Sequence, residues 1–289
     1  MMEGILTVLK PSGMSSSDAV VDVRRLTGVK RVGHLGTLDP QAGGVLPVCV
    51  GRAVRLFDYL VDKHKEYLAE ITFGCATDTQ DAQGRILAVS DVAVSRSELD
   101  AALPAFVGTQ EQVAPMYSAL KYQGKKLYDL ARAGIEVPEK RRRIEIDTLE
   151  TVEELDRNRF LIRIGCSRGT YIRTLCEDIG AFLGVPSHMA FLLRTQAGPF
   201  RLEQACSIAE LQQRKAEGTL ESVFVSAEDA MCSFPALHLH PSRMTATKNG
   251  LPTTVRQELD GTVRLYCDGE FLGIGTVKDR EVKLTVHLY

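Results

Sequence analysis

The apolar positions in the first two thirds of the chain change irregularly between strand-like and helix-like spacing. Residues 4–10, 66–73 and 160–164, and an apolar run that ends at Val50, have the short or alternating patterns of strands. Helical spacing covers residues 95–106 and 170–183, and a further helix capped by Ser16 or Ser17 follows the first strand. A short helix is also expected over residues 127–133. Because no regular strand–helix–strand rhythm is present, we expect an α+β domain rather than a doubly wound one.

The last fifty residues have a different pattern. Short alternating runs are separated by Asn249-Gly250, Asp260-Gly261 and Asp268-Gly269, and such dipeptides favour tight hairpin turns. We therefore expect a catalytic-sized domain over residues 1–235 and a small all-β module over residues 236–289.

Composition narrows the class of protein. The 289 residues are 44% hydrophobic and 25% charged, an ordinary globular balance. No apolar run approaches the roughly 20 residues that a membrane helix needs, and the start lacks a secretory signal pattern, so we expect a cytoplasmic protein. The seven cysteines are odd in number and lack Cys-x-x-Cys spacing, which predicts neither a disulfide framework nor a zinc site. His238 and His240 are a close pair without a clear third metal ligand nearby.

The net charge of −2 argues mildly against a nucleic-acid partner, but the charge is unevenly distributed. Residues 121–143 hold eight basic and three acidic side chains, which gives this segment 8 − 3 = +5. The basic residues are Lys121, Lys125, Lys126, Arg132, Lys140, Arg141, Arg142 and Arg143. Such a patch is typical of a surface that binds RNA or DNA, although charge alone is equally compatible with a solvated loop.

The glycine-rich loop from Gly33 to Gly44 is the first candidate site. It lacks the Gly-Lys-Ser/Thr of a Walker loop and the spacing of a dinucleotide loop, but it carries Asp39 directly before Pro40. Proline restricts the backbone of both residues, so Asp39 can be presented rigidly into a cleft. Taken alone, however, Asp-Pro more often simply starts a turn.

A second candidate site is the predicted strand-to-helix junction around Arg173. Gly169 permits a close backbone approach there, and Thr170 is a possible helix cap. An arginine at this place can bind a carboxylate in bidentate fashion, but an exposed pair with Glu177 one turn later is an equal alternative. Tyr67, on an earlier strand, is by default a core aromatic residue.

Taken together, these segments resemble the TruB family of bacterial tRNA pseudouridine synthases, which act on the uridine at position 55 in the T loop. The segments that carry the resemblance are Leu9-Lys10-Pro11-Ser12-Gly13-Met14-Ser15-Ser16, Gly33-His34-Leu35-Gly36-Thr37-Leu38-Asp39-Pro40, Gly43-Gly44-Val45-Leu46-Pro47, Lys65-Glu66-Tyr67, Thr77-Asp78-Thr79-Gln80-Asp81, Pro115-Met116-Tyr117-Ser118-Ala119-Leu120-Lys121, Gly169-Thr170-Tyr171-Ile172-Arg173 and Phe191-Leu192-Leu193-Arg194. Their order and spacing agree with the family from residue 4 to about residue 200. Ala114 and Leu35 depart from the usual pattern without touching its charged members.

The resemblance implies a role for each matching residue. Asp39 corresponds to the essential aspartate, Tyr67 to the tyrosine that stacks on the target base, and Arg173 to the arginine that pairs with the aspartate. Tyr171 and Leu192 correspond to walls of the base pocket, and His34 to the histidine that meets the RNA where the base has left. Further RNA contacts are expected from Lys10, Lys121, Arg141, Arg142 and Arg143, and we expect the segment 121–143 to be a mobile loop that RNA orders.

The resemblance also implies a fold and partners. We expect a mixed, largely antiparallel central sheet flanked by helices and loops, and a PUA-like RNA-binding module at the C-terminal end. The expected partner is the T arm of tRNA, bound by a monomer. Isomerisation of a uridine needs no redox step or energy input, so neither a cofactor nor a metal is expected. The alternatives are a non-catalytic tRNA-binding or tRNA-folding protein on the same scaffold, and a guide-dependent pseudouridine synthase.

Overall fold

The computed structural model describes residues 2–61, 64–115, 117, 121–126, 135 and 137–289. Its strands are β1 (Gly4–Lys10), β2 (Val32–His34), β3 (Gly43–Val50), β4 (Lys65–Phe73), β5 (Cys75–Thr77), β6 (Ile86–Val89), β7 (Gly108–Val113), β8 (Lys121–Tyr122), β9 (Lys125–Lys126), β10 (Arg141–Asp156), β11 (Arg159–Cys166), β12 (Ser187–Ala197), β13 (Phe200–Arg201), β14 (Phe224–Val225), β15 (Ala236–Leu239), β16 (Thr253–Thr254), β17 (Gly261–Cys267), β18 (Glu270–Lys278) and β19 (Glu281–His287). Its α-helices are α1 (Ser16–Thr27), α2 (Phe57–Leu60), α3 (Arg96–Ala102), α4 (Ile172–Leu183), α5 (Ile208–Ala216), α6 (Ala227–Ala230) and α7 (Met244–Lys248). Short 3-10 helices cover Gly51–Leu56, Leu103–Phe106, Leu202–Gln204, Leu220–Val223 and Pro241–Arg243.

One large sheet organises the first part of the chain. Its strands follow the order β14-β1-β3-β12-β4-β11-β10-β7, with β2 paired to β3 and β13 paired to β12. Strands β3 and β12 run parallel to each other, whereas the other pairs in this sheet are antiparallel. The expectation of a mixed, largely antiparallel sheet within an α+β fold is therefore confirmed.

Hydrophobic burial explains the central strands. Strand β3 is buried at every position, as its nearly continuous apolar sequence requires. Strand β4 alternates, and its inward side chains from Tyr67 to Phe73 join the main hydrophobic core. Helix α1 lays Val20, Val23 and Leu26 against the same core.

Both helices near the candidate site begin at residues other than those predicted. The cap of α1 is Ser15, whose side chain accepts the backbone N–H of Asp18 in a capping box, and not Ser16 or Ser17. Helix α4 begins at Ile172, and the predicted cap Thr170 instead donates its hydroxyl to the carbonyl of Ser167, 3.1 Å away. The hydroxyl of Ser16 instead contacts Leu38, which is distant in sequence, whereas the hydroxyl of Thr170 makes a local contact.

A second sheet with the strand order β15-β17-β18-β19-β16 forms the C-terminal module, which also contains the short helix α7. Asp268-Gly269 joins β17 to β18 as predicted. The two other predicted hairpin turns are wrong. Asn249-Gly250 follows the end of helix α7. Asp260-Gly261 lies between β16 and β17, but β16 pairs with β19 and not with β17. The second hairpin turn uses Asp279-Arg280, both at positive φ.

The C-terminal module packs directly against the large domain. Ile274 and Leu288 of the module belong to the same buried cluster as Leu35 and Val45 beside the candidate loop. The guanidinium of Arg55 adds a 2.6 Å hydrogen bond to the carbonyl of His287. The module is thus part of the support of the candidate loop.

The basic segment over residues 121–143 has strands at both of its ends. Strands β8 and β9 pair as a hairpin, and Arg141–Arg143 begin the long strand β10 in register with β7, so this end is not a loop. The predicted short helix over residues 127–133 lies outside the described residues.

Within the described ranges, no helix is long and apolar enough to cross a membrane.

Candidate active site

Asp39 lies in a tight turn between β2 and β3. The backbone N–H of Ala42 donates to the carbonyl of Asp39 at 3.0 Å, which closes a turn with Pro40 at its second position. The N–H of Gly13 donates to the Pro40 carbonyl at 2.8 Å. The turn predicted from Asp-Pro is therefore present, and it presents the carboxylate to a cleft.

Two side chains from the first strand and helix fix this turn from below. The ammonium of Lys10 is buried and donates to the carbonyls of Pro11 (2.9 Å), Met14 (2.6 Å) and Pro40 (3.2 Å). The hydroxyl of Ser16 accepts the N–H of Leu38 and donates to its carbonyl, both at 2.9 Å. Burial lowers the pKa of Lys10 to about 8, although nearby Asp39 acts in the opposite direction.

Lys10 therefore does not lie where the sequence-based expectation placed it. Its side chain has no exposed surface, and its three backbone acceptors use the hydrogens of the ammonium. It supports the turn that carries Asp39 and is not positioned to contact RNA.

Arg173 joins Asp39 through an ion pair, with Nη2 2.9 Å from Oδ2 of the carboxylate. Its guanidinium also donates to the carbonyls of Thr79 (3.1 Å) and Tyr117 (2.9 Å), and Asp81 lies 3.9 Å from Nη1. These contacts fix the cation on several sides. Of the two alternatives for Arg173, the structure thus selects the carboxylate in the cleft.

The rival partner Glu177 is engaged elsewhere. It accepts a short hydrogen bond from the side-chain amide of Gln80, whose oxygen accepts the hydroxyl of Thr174 at 3.0 Å. Helix α4 and the loop after β5 are therefore joined beside Arg173.

Tyr67 lies at the base of the cleft and is 8% exposed. Burial raises the pKa of its hydroxyl, and the neighbouring Arg194 guanidinium opposes this by Coulomb attraction and a side-chain hydrogen bond. Arg194 is 1% exposed, and it donates to the carbonyls of Val45 (2.7 Å) and Gly36 (3.1 Å) on either side of the Asp39 turn. Sequence reasoning gave Arg194 no role, although its spacing of two residues from Leu192 put both on one strand face.

The rim of the cleft is formed around Tyr171 and Arg142. The backbone of Tyr171 is fixed by the side chain of Gln112, which accepts its N–H at 2.8 Å and donates to its carbonyl at 3.0 Å. The guanidinium of Arg142 lies 5.9 Å from the centre of the Tyr171 ring and directly over Gly169, where a Cβ atom would approach it to 2.3 Å. A side chain at position 169 would have to displace the end of the Arg142 side chain, and the φ of +84° at this position also favours glycine.

His34 completes the rim from strand β2. Its Nδ1 atom is buried without a hydrogen-bond partner among the described residues, and burial together with Arg194 lowers the pKa of its imidazole. A neutral ring is therefore presented to the cleft.

Together these residues enclose a cleft of about 370 Å³. It is lined by His34, Gly36, Thr37, Leu38, Asp39, Phe57, Val61, Lys65, Tyr67, Arg142, Arg168, Gly169, Thr170, Tyr171, Ile172, Arg173, Leu192 and Arg194. Arg141 and Arg143 lie outside it on the exposed surface of β10, where Arg141 pairs with Glu139, and Lys121 lies on β8. A half-exposed carboxylate beside a fixed cation, an aromatic hydroxyl and the apolar Leu192 suit covalent or proton-transfer chemistry on a planar base.

The chain matches a model of the N-terminal domain of TruB family pseudouridylate synthases over residues 24–172. The chain belongs to the TruB family. Two C-terminal domain models of TruB enzymes match residues 173–231 and 235–283. The cleft thus draws residues from both the N-terminal and the first C-terminal family region.

Curated TruB relatives agree over most of their length. The chain is 44% identical over 275 residues to tRNA pseudouridine synthase B of Geobacillus thermodenitrificans, with 91% of each chain covered. It is 40% identical to tRNA pseudouridine synthase B of Alkaliphilus oremlandii, with 97% of this chain and 95% of that protein covered. A chain in the solved structure of an H/ACA RNP bound to a substrate RNA containing 2′-deoxyuridine shares the fold, with a TM-score of 0.75 and 22% identity. The match covers 99% of this chain and 85% of that chain.

Proposed function

We propose that this TruB enzyme isomerises the uridine at position 55 in the T loop of tRNA to pseudouridine. The observation that carries the proposal is the carboxylate of Asp39, which is 44% exposed, lines the cleft and is ion-paired to the buried Arg173. The names of the relatives, tRNA pseudouridine synthase B, support tRNA as the substrate class.

Asp39 is the catalytic carboxylate in this proposal. Pseudouridine formation breaks the bond between N1 of the base and C1′ of the ribose, turns the uracil, and joins C5 to C1′. An ionised carboxylate serves this chemistry as a nucleophile or as a proton acceptor. Arg173 favours the ionised form and orients it through the 2.9 Å contact.

The cleft walls hold the base during its rotation. Tyr67 stacks on the uracil, while Leu192 and Tyr171 confine it and keep out water that would divert a reactive sugar intermediate. The target base lies inside a folded RNA loop and must be flipped out at a cost of a few kcal/mol. His34, neutral and at the rim, meets the RNA at the place that the base has left.

Basic residues outside the cleft offset the cost of flipping. We assign the phosphate contacts to Lys121, Arg141 and Arg143, and we place Arg142 beside the flipped nucleotide because its guanidinium lies in the cleft. The C-terminal module over residues 236–289 extends the RNA-binding surface. The enzyme acts as a cytoplasmic monomer on the T arm.

The test is conversion of a synthetic T-arm RNA by the purified protein, measured as pseudouridine at position 55 by mass spectrometry. Asp39→Asn keeps the shape of the side chain and removes its charge, so we expect conversion to fall by at least about three orders of magnitude while RNA binding persists. Asp91→Asn, at an exposed aspartate remote from the cleft, is the matched control and should retain parental conversion.

The outcomes separate the rival functions. RNA binding without conversion by the parent protein would favour a non-catalytic RNA-binding protein on this scaffold. Conversion only in the presence of a guide RNA would favour a guide-dependent enzyme. Activity of Asp39→Asn within about tenfold of the parent would reject Asp39 as the catalytic carboxylate.

A further inference from the structure

Arg194 is a buried arginine that spans the floor of the active site. Its Nε and Nη2 atoms donate to the carbonyls of Val45 and Gly36, which lie on opposite sides of the Asp39 turn. Among the described residues, no ion pair includes Arg194, which is 1% exposed. Burying a cation without an ion-pair partner is costly, and the place of Arg194 in the cleft lining puts its charge beside Tyr67 and Asp39.

Tyr67 is the residue directly opposite Arg194. The two are register partners on the adjacent antiparallel strands β4 and β12, and both line the cleft. Burial raises the pKa of the Tyr67 hydroxyl, and the positive charge of the Arg194 guanidinium opposes that effect. Cross-strand partners of this kind keep their separation because the backbones on both sides are hydrogen-bonded.

The reaction requires one proton to move within the base. In uridine, C5 carries a hydrogen and N1 carries the ribose, whereas in pseudouridine N1 carries the hydrogen and C5 the ribose. A tyrosine that gives its hydroxyl proton to the released N1 and later accepts the C5 proton leaves atoms and charge balanced. When the C5 proton departs, the electron pair of its bond returns to the ring and restores conjugation.

We propose that Arg194 is a positioning residue that stabilises the phenolate of Tyr67 while the proton is transferred from C5. The inference rests on the proposed function. It extends that function by assigning the buried guanidinium to a specific step, the removal of the C5 proton, in addition to its support of the Asp39 turn. A phenolate in a water-poor cleft needs such a fixed positive charge.

The experiment compares single-turnover conversion of T-arm RNA that carries either hydrogen or deuterium at C5 of the target uridine. Arg194→Gln removes the charge and keeps one amide group, which can replace the donor to Val45 but not the donor to Gly36. Arg194→Lys keeps a charge but loses the planar fork. Arg201→Gln, at an exposed arginine on β13, is the matched control.

We expect Arg194→Gln to slow conversion by about tenfold to a hundredfold, and its deuterium isotope effect to exceed that of the parent. Arg194→Lys should show a smaller isotope effect than Arg194→Gln, and Arg201→Gln should match the parent. In a Tyr67→Phe background, Arg194→Gln should not raise the isotope effect further, because the group on which it acts is missing.

Slow conversion by Arg194→Gln with a parental isotope effect would overturn the proposal, because it would leave the arginine only a structural role. Unchanged conversion would overturn it as well. If Arg194→Gln does not fold, Arg194→Lys is combined with 3-fluorotyrosine at position 67, whose more acidic phenol should restore part of the lost rate. No restoration would contradict the proposal, whereas a parent that converts no RNA would instead contradict the proposed function.

Discussion

Nη2 of Arg173 lies 2.9 Å from Oδ2 of Asp39, and the two partners differ sharply in exposure, with 5% for the arginine side chain and 44% for the aspartate. The cation is therefore held by the protein, while the carboxylate remains open to a substrate. One oxygen of Asp39 can remain on the arginine during a reaction at the other. This asymmetry suits a group that must be both oriented and reactive.

Replacing Arg173 by lysine should be costly although the charge is kept. Lysine cannot reproduce the planar fork that contacts Asp39, Thr79 and Tyr117 together, so we expect kcat to fall by about a hundredfold. Conversion under saturating T-arm RNA measures this change. Arg163→Lys is the control, because that arginine forms an exposed pair with Glu150 at 3.2 Å. Parental rates in Arg173→Lys would indicate that this arginine is only structural.

The arginines at the start of β10 should differ in function, because some act on RNA affinity and one acts on the reaction rate. Arg143 is exposed, so Arg143→Ala should reduce the slope of log affinity against log salt by about one. Arg142 lies in the cleft, so Arg142→Ala should mainly lower the single-turnover rate. Alanine at Arg141, Arg142 and Arg143 together should weaken RNA binding and flatten its salt dependence. An unchanged slope in that triple variant would contradict a role in phosphate binding.

We expect the free energy of unfolding to depend on pH through the buried imidazole of His34. Its pKa in the folded protein lies below the ordinary value of 6.5, because burial and Arg194 both disfavour the charged ring. Between the lowered pKa and pH 6.5, the unfolded chain binds more protons than the folded chain, so the free energy of unfolding decreases as pH falls. Thermal unfolding from about pH 7 to about pH 5 should therefore show a smaller loss in His34→Gln than in the parent. His240→Gln, at an exposed histidine, should behave like the parent.

Adding a single methyl group at Gly44 should greatly lower the free energy of unfolding. Its φ is +106°, and a Cβ atom there would lie 2.2 Å from the carbonyl oxygen of Arg194 on the parallel strand β12. We expect Gly44→Ala to lower the free energy of unfolding by more than about 3 kcal/mol in urea titrations. Gly218 also has a positive φ, but nothing lies within 4 Å of its Cβ position, so Gly218→Ala should cost only about 1 kcal/mol. Equal losses would show that the contact with β12 is unimportant.

The sequence predicted the elements with strong local patterns. The apolar run of β3, the alternation in β4 and the Asp-Pro turn depend on neighbouring residues, and all three are present. The pairing of Arg173 with Asp39 is different, because local spacing left Glu177 as an equal partner and only the family resemblance favoured the aspartate. A contact between distant segments depends on packing that no local pattern contains.

The buried cations were the residues least accessible to sequence reasoning. Lysine and arginine are usually exposed, and no local pattern in the sequence indicates that Lys10 and Arg194 are buried. Both side chains are instead buried below the Asp39 turn, where backbone carbonyls accept their hydrogens. The turn Asp279-Arg280 was missed for a related reason, because it reaches positive φ without glycine.

Leu35, Val45, Ile274 and Leu288 share one hydrophobic cluster, so we expect the two sheets to unfold together. Heat or denaturant acting on the C-terminal strands would also withdraw the support beneath the Asp39 turn. A truncated enzyme without those strands would expose the hydrophobic surface of this cluster to water and become prone to aggregation. The C-terminal strands therefore limit how far this enzyme can be shortened, whatever RNA they bind.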